Sequence, residues 1–438
     1  MTPESAHRRP DDGESTGPST QPGVSAAAEA SAPGSDHAAT GYDLAVVGAG
    51  IVGLAVAREF LRRRPGASLI VIDKQTTVGY HQTSHNSGVI HSGVYYKPGS
   101  LKARLCVEGA RLMYDFCDEH AVPYRRCGKL IVAVREDEMS RLADLESRGH
   151  ANGVAGLRRV GTAEIAEIEP ECRGLAALHT PATGIVDYGA VAAAMERELR
   201  DKGVAFALGR SVTAIGREHG KTVLQLADGA FTADASIVCA GLWSDRLAVS
   251  AGASPDPRIV PFRGAYLRLA DGQQPIVRGM VYPVPDPALP FLGVHVTSHI
   301  DGHIMLGPTA MLVGARDAYS LRTIRARDLA DTLSWPGTWH VARKFWRTGI
   351  DEMHMAASRK AFIRACAQYV PAIEGMRIDP VTSGGVRAQA VGRDGQLLDD
   401  FAISQTPGAT HVRNAPSPAA TSSLALAKEL VDRYEAAS

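Results

Sequence analysis

The chain has 438 residues, of which 45% are hydrophobic and 21% charged, and 47 Lys and Arg balance 47 Asp and Glu. That length holds about two domains and a large core, and the lack of basic excess argues against a nucleic-acid partner. No run of about 18 apolar residues is present, which excludes a membrane-spanning helix. The six cysteines are scattered without a C-x-x-C pair, which excludes a zinc ribbon, an iron–sulfur cluster and a disulfide scaffold. A reduced, cytoplasmic setting with no metal fits best.

Residues 1–41 are rich in Ser, Ala, Pro and Gly and contain no aromatic residue. Such a stretch cannot bury enough apolar surface to offset its ordering entropy and is expected to be a disordered tail. It has no apolar core, and its acids outnumber Arg8 and Arg9, so it reads as neither secretory signal nor transit peptide. Next, Asp43 to Val47 predicts a buried parallel strand, a helix runs through Arg64, and Ser68 to Ile72 is a second strand. Ala190 to Lys202 has helical spacing, and Ala235 to Cys239 reads as another buried strand. Short strands and prolines over 255–310 suggest an antiparallel sheet, and Ala326 to Val370 is helical. The chain ends in an amphipathic helix over Ala419 to Ala436, with Pro418 near its start.

The sharpest motif is Gly48-Ala-Gly50-Ile-Val-Gly53, placed directly after a strand and opening a helix. Asp73 ends the next strand about twenty residues on, which is the context a dinucleotide fingerprint requires. Gly48 permits the tight turn, Gly50 lets the backbone approach a pyrophosphate, and Gly53 lets helix and strand pack closely. The helix N-terminus meets the phosphates, and Asp73 accepts from ribose hydroxyls. FAD and NAD share this pattern. The polar, glycine-rich loop from His81 to Gly93 suits the longer cofactor, because its ring system would run past the strand ends.

The sequence resembles the D-amino-acid-oxidase-like flavoprotein superfamily and, within it, the L-2-hydroxyglutarate oxidase/dehydrogenase family. The resemblance is carried by Ser84 to Lys97, Cys127 to Val132, Thr183 to Tyr188, Cys239 to Asp245, Pro257 to Gly264, Pro290 to His295 and His411 to Ser423. It implies an α/β (α+β) architecture, a Rossmann-type FAD-binding domain with an inserted mixed-sheet substrate domain. FAD-binding segments are expected at 42–130, 183–254 and 371–438, and substrate-domain segments at 131–182 and 255–370. It further implies FAD as cofactor and oxidation of L-2-hydroxyglutarate to 2-oxoglutarate. Besides the fingerprint, it points to Lys74, Ser84, Asn86, Ser87, Gly88, Val212, Ala240, Gly241, Gly385, Ser417, Ala419, Ala420 and Thr421 as cofactor-binding.

Oxidising a 2-hydroxy acid needs cations for its carboxylates and a base for its hydroxyl proton. Arg263 and Arg387 are the candidate carboxylate ligands, since a guanidinium forks onto a planar carboxylate. His91 is the candidate base and His295 its rival, because a histidine can accept a proton near neutral pH. His85 is where a covalent flavin bond would be considered, though His-Asn-Ser-Gly does not favour one. The Pro- and Ser-rich start of the last helix would aim a positive helix end at the reduced flavin. Trp335 to Arg347 mixes three of the four tryptophans with Arg343, Lys344 and Arg347. That pattern suits an anionic bilayer surface and delivery of electrons to a quinone, with oxygen the other acceptor, and the enzyme peripheral at the inner membrane face. The alternative is that these aromatics pack inside the fold. Rival functions are an amino-acid or glycerol-phosphate oxidase on the same fold, an NAD-dependent dehydrogenase, and a non-catalytic flavin scaffold.

Overall fold

A computed structural model describes residues 41–287, 289, 292–320 and 322–437. The tail expected over 1–41 lies outside the described residues, Gly41 excepted. Tyr42–Val47 forms a strand because Leu44, Ala45, Val46 and Val47 are apolar without a break, so both faces can be buried. Its pleat sends Leu44 and Val46 to one side and Ala45 and Val47 to the other, into two separate apolar clusters. The first side is covered by the helices Ile51–Arg63, Tyr188–Asp201 and Ala419–Ala437.

The first sheet runs in the order Ala214–Glu218, Lys221–Leu226, Gly229–Val238, Tyr42–Val47, Leu69–Asp73, Ala205–Leu208. The neighbours of Tyr42–Val47 are parallel to it. Ala409–Asn414 adds a parallel strand beside Gly229–Val238, so chain segments far apart in sequence close one sheet. Parallel pairing brings Val47, Ile72 and Val238, at or near the C-terminal ends of these strands, to one edge.

The second sheet is largely antiparallel and is built on the long pair Arg258–Leu269 and Ile378–Val391. Ile304–Gly307, His295–Ser298, Met280–Pro283, Lys129–Ala133, Ala176–Thr180 and Arg158–Gly161 follow in order. Met280–Pro283 is parallel to Lys129–Ala133, which makes the sheet mixed. Residues 378–391 pair within this sheet although 371–438 was expected to belong with the FAD-binding segments. We propose that the two-domain division holds with its last boundary moved to just after Val391. The helices Ala326–Leu333, Pro336–Lys344, Trp346–Ala357 and Arg359–Ala367 occupy the predicted helical stretch.

Candidate active site

Between the C-terminal edge of the first sheet and a face of the second lies a cavity of about 1140 Å³. It begins at the turn after Val47. Gly48 has φ of 109°, open to glycine and strained for other residues, and a Cβ there would overlap the Cys239 carbonyl. A Cβ on Gly53 would overlap the Gly48 carbonyl, so Gly53 sets the helix–strand contact and does not itself line the cavity. Over Gly50 a Cβ would meet only Thr83 Oγ1, at 3.4 Å, which leaves room at the helix N-terminus. Asp73 lines the cavity while its two oxygens accept from the Ala49 and Gln75 amides, at 2.7 and 2.8 Å. Thr83 Oγ1 accepts from the Ile51 amide at 3.1 Å, a helix-start contact with no signature in the sequence. Open space over a helix N-terminus and a carboxylate at the next strand end are what a dinucleotide requires, so these residues fit FAD.

Of the further cofactor residues expected, Lys74, Asn86, Ser87, Val212, Ala240, Gly241, Gly385, Ser417, Ala419, Ala420 and Thr421 line the cavity. Ser84 and Gly88 do not. Ser84 Oγ donates to the Gly79 carbonyl at 2.9 Å, and Gly88 takes φ of 68° where its amide donates to Asn86 Oδ1 at 2.8 Å. Both therefore shape the loop. The Lys74 ammonium sits 3.0 Å from the centroid of the Trp243 ring, and burial pushes it down to about 8. His85 Nδ1 meets the His81 carbonyl at 2.9 Å, and its ring packs 4.0 Å from that of Tyr319.

The cavity is also lined by His91, Tyr95, Tyr96, Tyr266, Tyr282, His295 and Arg387. Burial holds the His91 imidazole well below the usual histidine range, and that of His295 down to about 3, so both are neutral at pH 7. His91 Nδ1 has no hydrogen-bond partner among the described residues. Its amide donates to Thr421 Oγ1 at 3.1 Å, and the same hydroxyl meets Tyr188 Oη at 2.9 Å and donates to Val89 O at 3.2 Å. The start of the last helix thus fixes the backbone of His91. His295 instead places Nδ1 3.1 Å from Gly293 O and stacks on Tyr282, ring centroids 3.8 Å apart.

The two candidate arginines part company. Arg387 stands opposite Phe262 in the register of the long strand pair, and both face the cavity. Burial lowers the Arg387 pKa from the usual arginine range. Arg263 is next to Phe262 on its strand, so the pleat turns it to the opposite face. There its Nε donates to the Tyr319 carbonyl at 3.1 Å and its guanidinium packs under Gly384. Arg263 thus does not line the cavity, contrary to expectation. The tyrosines and Lys129 behind them were not anticipated. Lys129 meets Tyr282 through pairing of Lys129–Ala133 with Met280–Pro283, for which the local sequence has no signal.

The expected aromatic surface is split. Trp335 is buried and donates Nε1 to Val391 O at 2.9 Å, whereas Trp339 and Trp346 are 59% and 56% exposed. Among the described residues no helix is long and apolar enough to cross a membrane.

The family model described as FAD dependent oxidoreductase (DAO) matches residues 43–433. The chain is 46% identical over 413 residues to "L-2-hydroxyglutarate dehydrogenase, mitochondrial" of Nematostella vectensis, covering 90% of each. It is 42% identical to "L-2-hydroxyglutarate dehydrogenase" of Indibacter alkaliphilus, covering 88% of this chain and 96% of that one. It is also 42% identical to the Homo sapiens protein named as mitochondrial L-2-hydroxyglutarate dehydrogenase, over 92% and 90%. Among solved structures, an L-α-glycerophosphate oxidase from Mycoplasma pneumoniae with FAD bound superposes with a TM-score of 0.73 at 22% identity, over 90% and 94% of the chains. A glycine oxidase from Geobacillus kaustophilus gives 0.69 at 19% identity, over 90% and 95%. With a match from Asp43 to Arg433 and relatives alike over nine-tenths of their length, the chain belongs to the DAO family of FAD-dependent oxidoreductases, in the branch that holds the L-2-hydroxyglutarate dehydrogenases.

Proposed function

We propose that the protein oxidises L-2-hydroxyglutarate to 2-oxoglutarate, using FAD. The observation that carries this beyond the family is that Arg387 and two histidines kept neutral by burial line the same cavity. Bound FAD supplies the acceptor for the hydride of the substrate's α carbon. Arg387 receives a substrate carboxylate and fixes the α carbon. His91, already neutral and not committed to a structural bond through Nδ1, takes the hydroxyl proton on its imidazole. His295 is tied to Gly293 and to the Tyr282 ring, so it orients and encloses. The test is anaerobic mixing with L-2-hydroxyglutarate and with its D enantiomer. The L form is expected to bleach the visible flavin absorbance and release 2-oxoglutarate. Flavin that stays oxidised with it, yet is reduced by a glycerol phosphate or an amino acid, would overturn the assignment.

For the electron acceptor, the reading is a quinone at an anionic membrane surface. Trp339, Trp346, Ile350 and Met353 are half exposed on adjoining helices, with Arg343, Lys344 and Arg347 among them. Lys344 and Phe345 also border the cavity, so this surface lies beside its edge. Rings at headgroup depth and cations against lipid phosphates favour such docking. Flotation with anionic vesicles tests it, and a protein that stays at the bottom of the gradient refutes it.

A further inference from the structure

We propose that Lys129 is a specificity residue of the substrate chamber, its ammonium taking the second carboxylate of a diacid. This rests on the function proposed above, because a diacid needs two cationic contacts and the structure turns Arg263 away. The Lys129 side chain is 2% exposed, and its Nζ has no hydrogen-bond partner among the described residues. It lies 4.6 Å from the centroid of the Tyr95 ring and 4.9 Å from that of Tyr282, and both rings line the cavity. Tyr95 Oη and His91 Nδ1 are likewise buried and unpartnered. Three polar atoms with this shared lack thus cluster at the cavity's edge, His91 and Tyr95 lining it and Lys129 directly behind the rings.

Among the described residues no carboxylate is paired with Lys129. His91 and Tyr95 follow the strand Val89–Ile90, Cys106 comes from the helix Leu101–Glu119, Tyr282 from Met280–Pro283 and His295 from His295–Ser298. Burial keeps both histidines neutral, pushes the Cys106 thiol up to about 12 and raises both phenols further. Lys102, the other lysine of this wall, is already engaged by Asp399 at 2.8 Å. Two aromatic faces stabilise the buried charge of Lys129 only in part, and burial pushes it down to about 7. A carboxylate arriving beside it completes the ion pair and favours the protonated lysine, so the amine fraction of Lys129 takes up a proton from solvent, whereas a monoacid leaves the lysine as it was.

The test is the ratio of kcat/KM for L-2-hydroxyglutarate to that for the monoacid L-2-hydroxybutyrate, in flavin-loaded wild type and Lys129→Met. The ratio is expected to fall at least tenfold, through KM of the diacid, with flavin content retained. A folded, flavin-loaded variant with an unchanged ratio overturns the proposal. Should that variant lose its flavin, wild type alone decides. Binding of the unreactive diacid glutarate, read from perturbation of the flavin spectrum, is expected to weaken progressively above pH 7, approaching tenfold per unit, as the free ammonium is lost. A flat profile from pH 6 to 8.5 overturns it. Failure of wild type to oxidise L-2-hydroxyglutarate would instead sink the proposed function, and the glutarate profile would still report on Lys129.

Discussion

At the residue scale, two arginines on paired strands do different work, and substitution separates them. Arg387→Lys keeps charge but loses the two-pronged geometry, so kcat/KM with L-2-hydroxyglutarate is expected to drop by the equivalent of about 1–3 kcal/mol. Arg263→Lys is expected to leave KM unchanged and to lower the melting temperature, because it loses only the bond to Tyr319 O. Steady-state kinetics beside thermal melts distinguish the two, and equal kinetic damage in both would return Arg263 to the site. Gly50→Val is expected to yield folded protein without flavin, because its side chain enters the room left over the helix N-terminus. Purification with full flavin would refute that placement. The glycine motif was legible because its parts are neighbours in sequence and each glycine answers a local steric demand. The place of Arg387 in the cavity was legible from its flanking glycines. The direction of Arg263 was not, since it depends on strand register, and a one-residue change of parity moves a side chain to the other face.

At the scale of elements, the helix Ser244–Ser250 is held by an ion cluster beside the cavity. Asp245 and Arg316 are both buried and bonded to each other, and Asp245 Oδ2 also accepts from the Ile259 amide at 3.0 Å. Burial alone would raise the Asp245 carboxyl, but the Arg316 hydrogen bond and charge outweigh it and hold the group below its ordinary range. Arg246 joins through Asp328 and Asp331, at 2.6 and 2.5 Å. Asp245→Ala leaves a guanidinium buried without its main partner, which costs about 3 kcal/mol. A denaturant melt is expected to show that loss, and a change under about 1 kcal/mol would mean that Asp328 and Asp331 substitute for it. This cluster carried no signal in the sequence beyond the run to Asp245, because Arg316 and Asp328 reach it from over seventy residues away. The strands and helices themselves were legible, since apolar periodicity is local. The membership of residues 378–391 in the second sheet was not, because pairing with Arg258–Leu269 spans more than a hundred residues.

At the scale of the whole molecule, burial keeps several histidines neutral, two of them lining the cavity between the sheets, and that sets how stability varies with pH. His295 is pushed down to about 3 and His411 to about 4, and His91 lies well below the usual range, all chiefly by burial. In the unfolded chain each returns to about 6.5. Between about pH 4 and 6.5 the unfolded state therefore binds more protons than the folded state, and stability must fall as pH falls through this window. A histidine shifted as far as His295 loses roughly 2 kcal/mol of stabilisation between pH 7.5 and 5. Asp245 acts with the same sign at lower pH, since its folded pKa is depressed below the ordinary carboxylate range. The melting temperature of the flavin-loaded protein is thus expected to decline steadily from pH 7 to 4.5, and His295→Gln should flatten the slope because its side chain does not titrate there. A melting temperature that is level over that range would show that these imidazoles are hydrated in the folded protein, and would remove the argument that His91 stands ready as a neutral base.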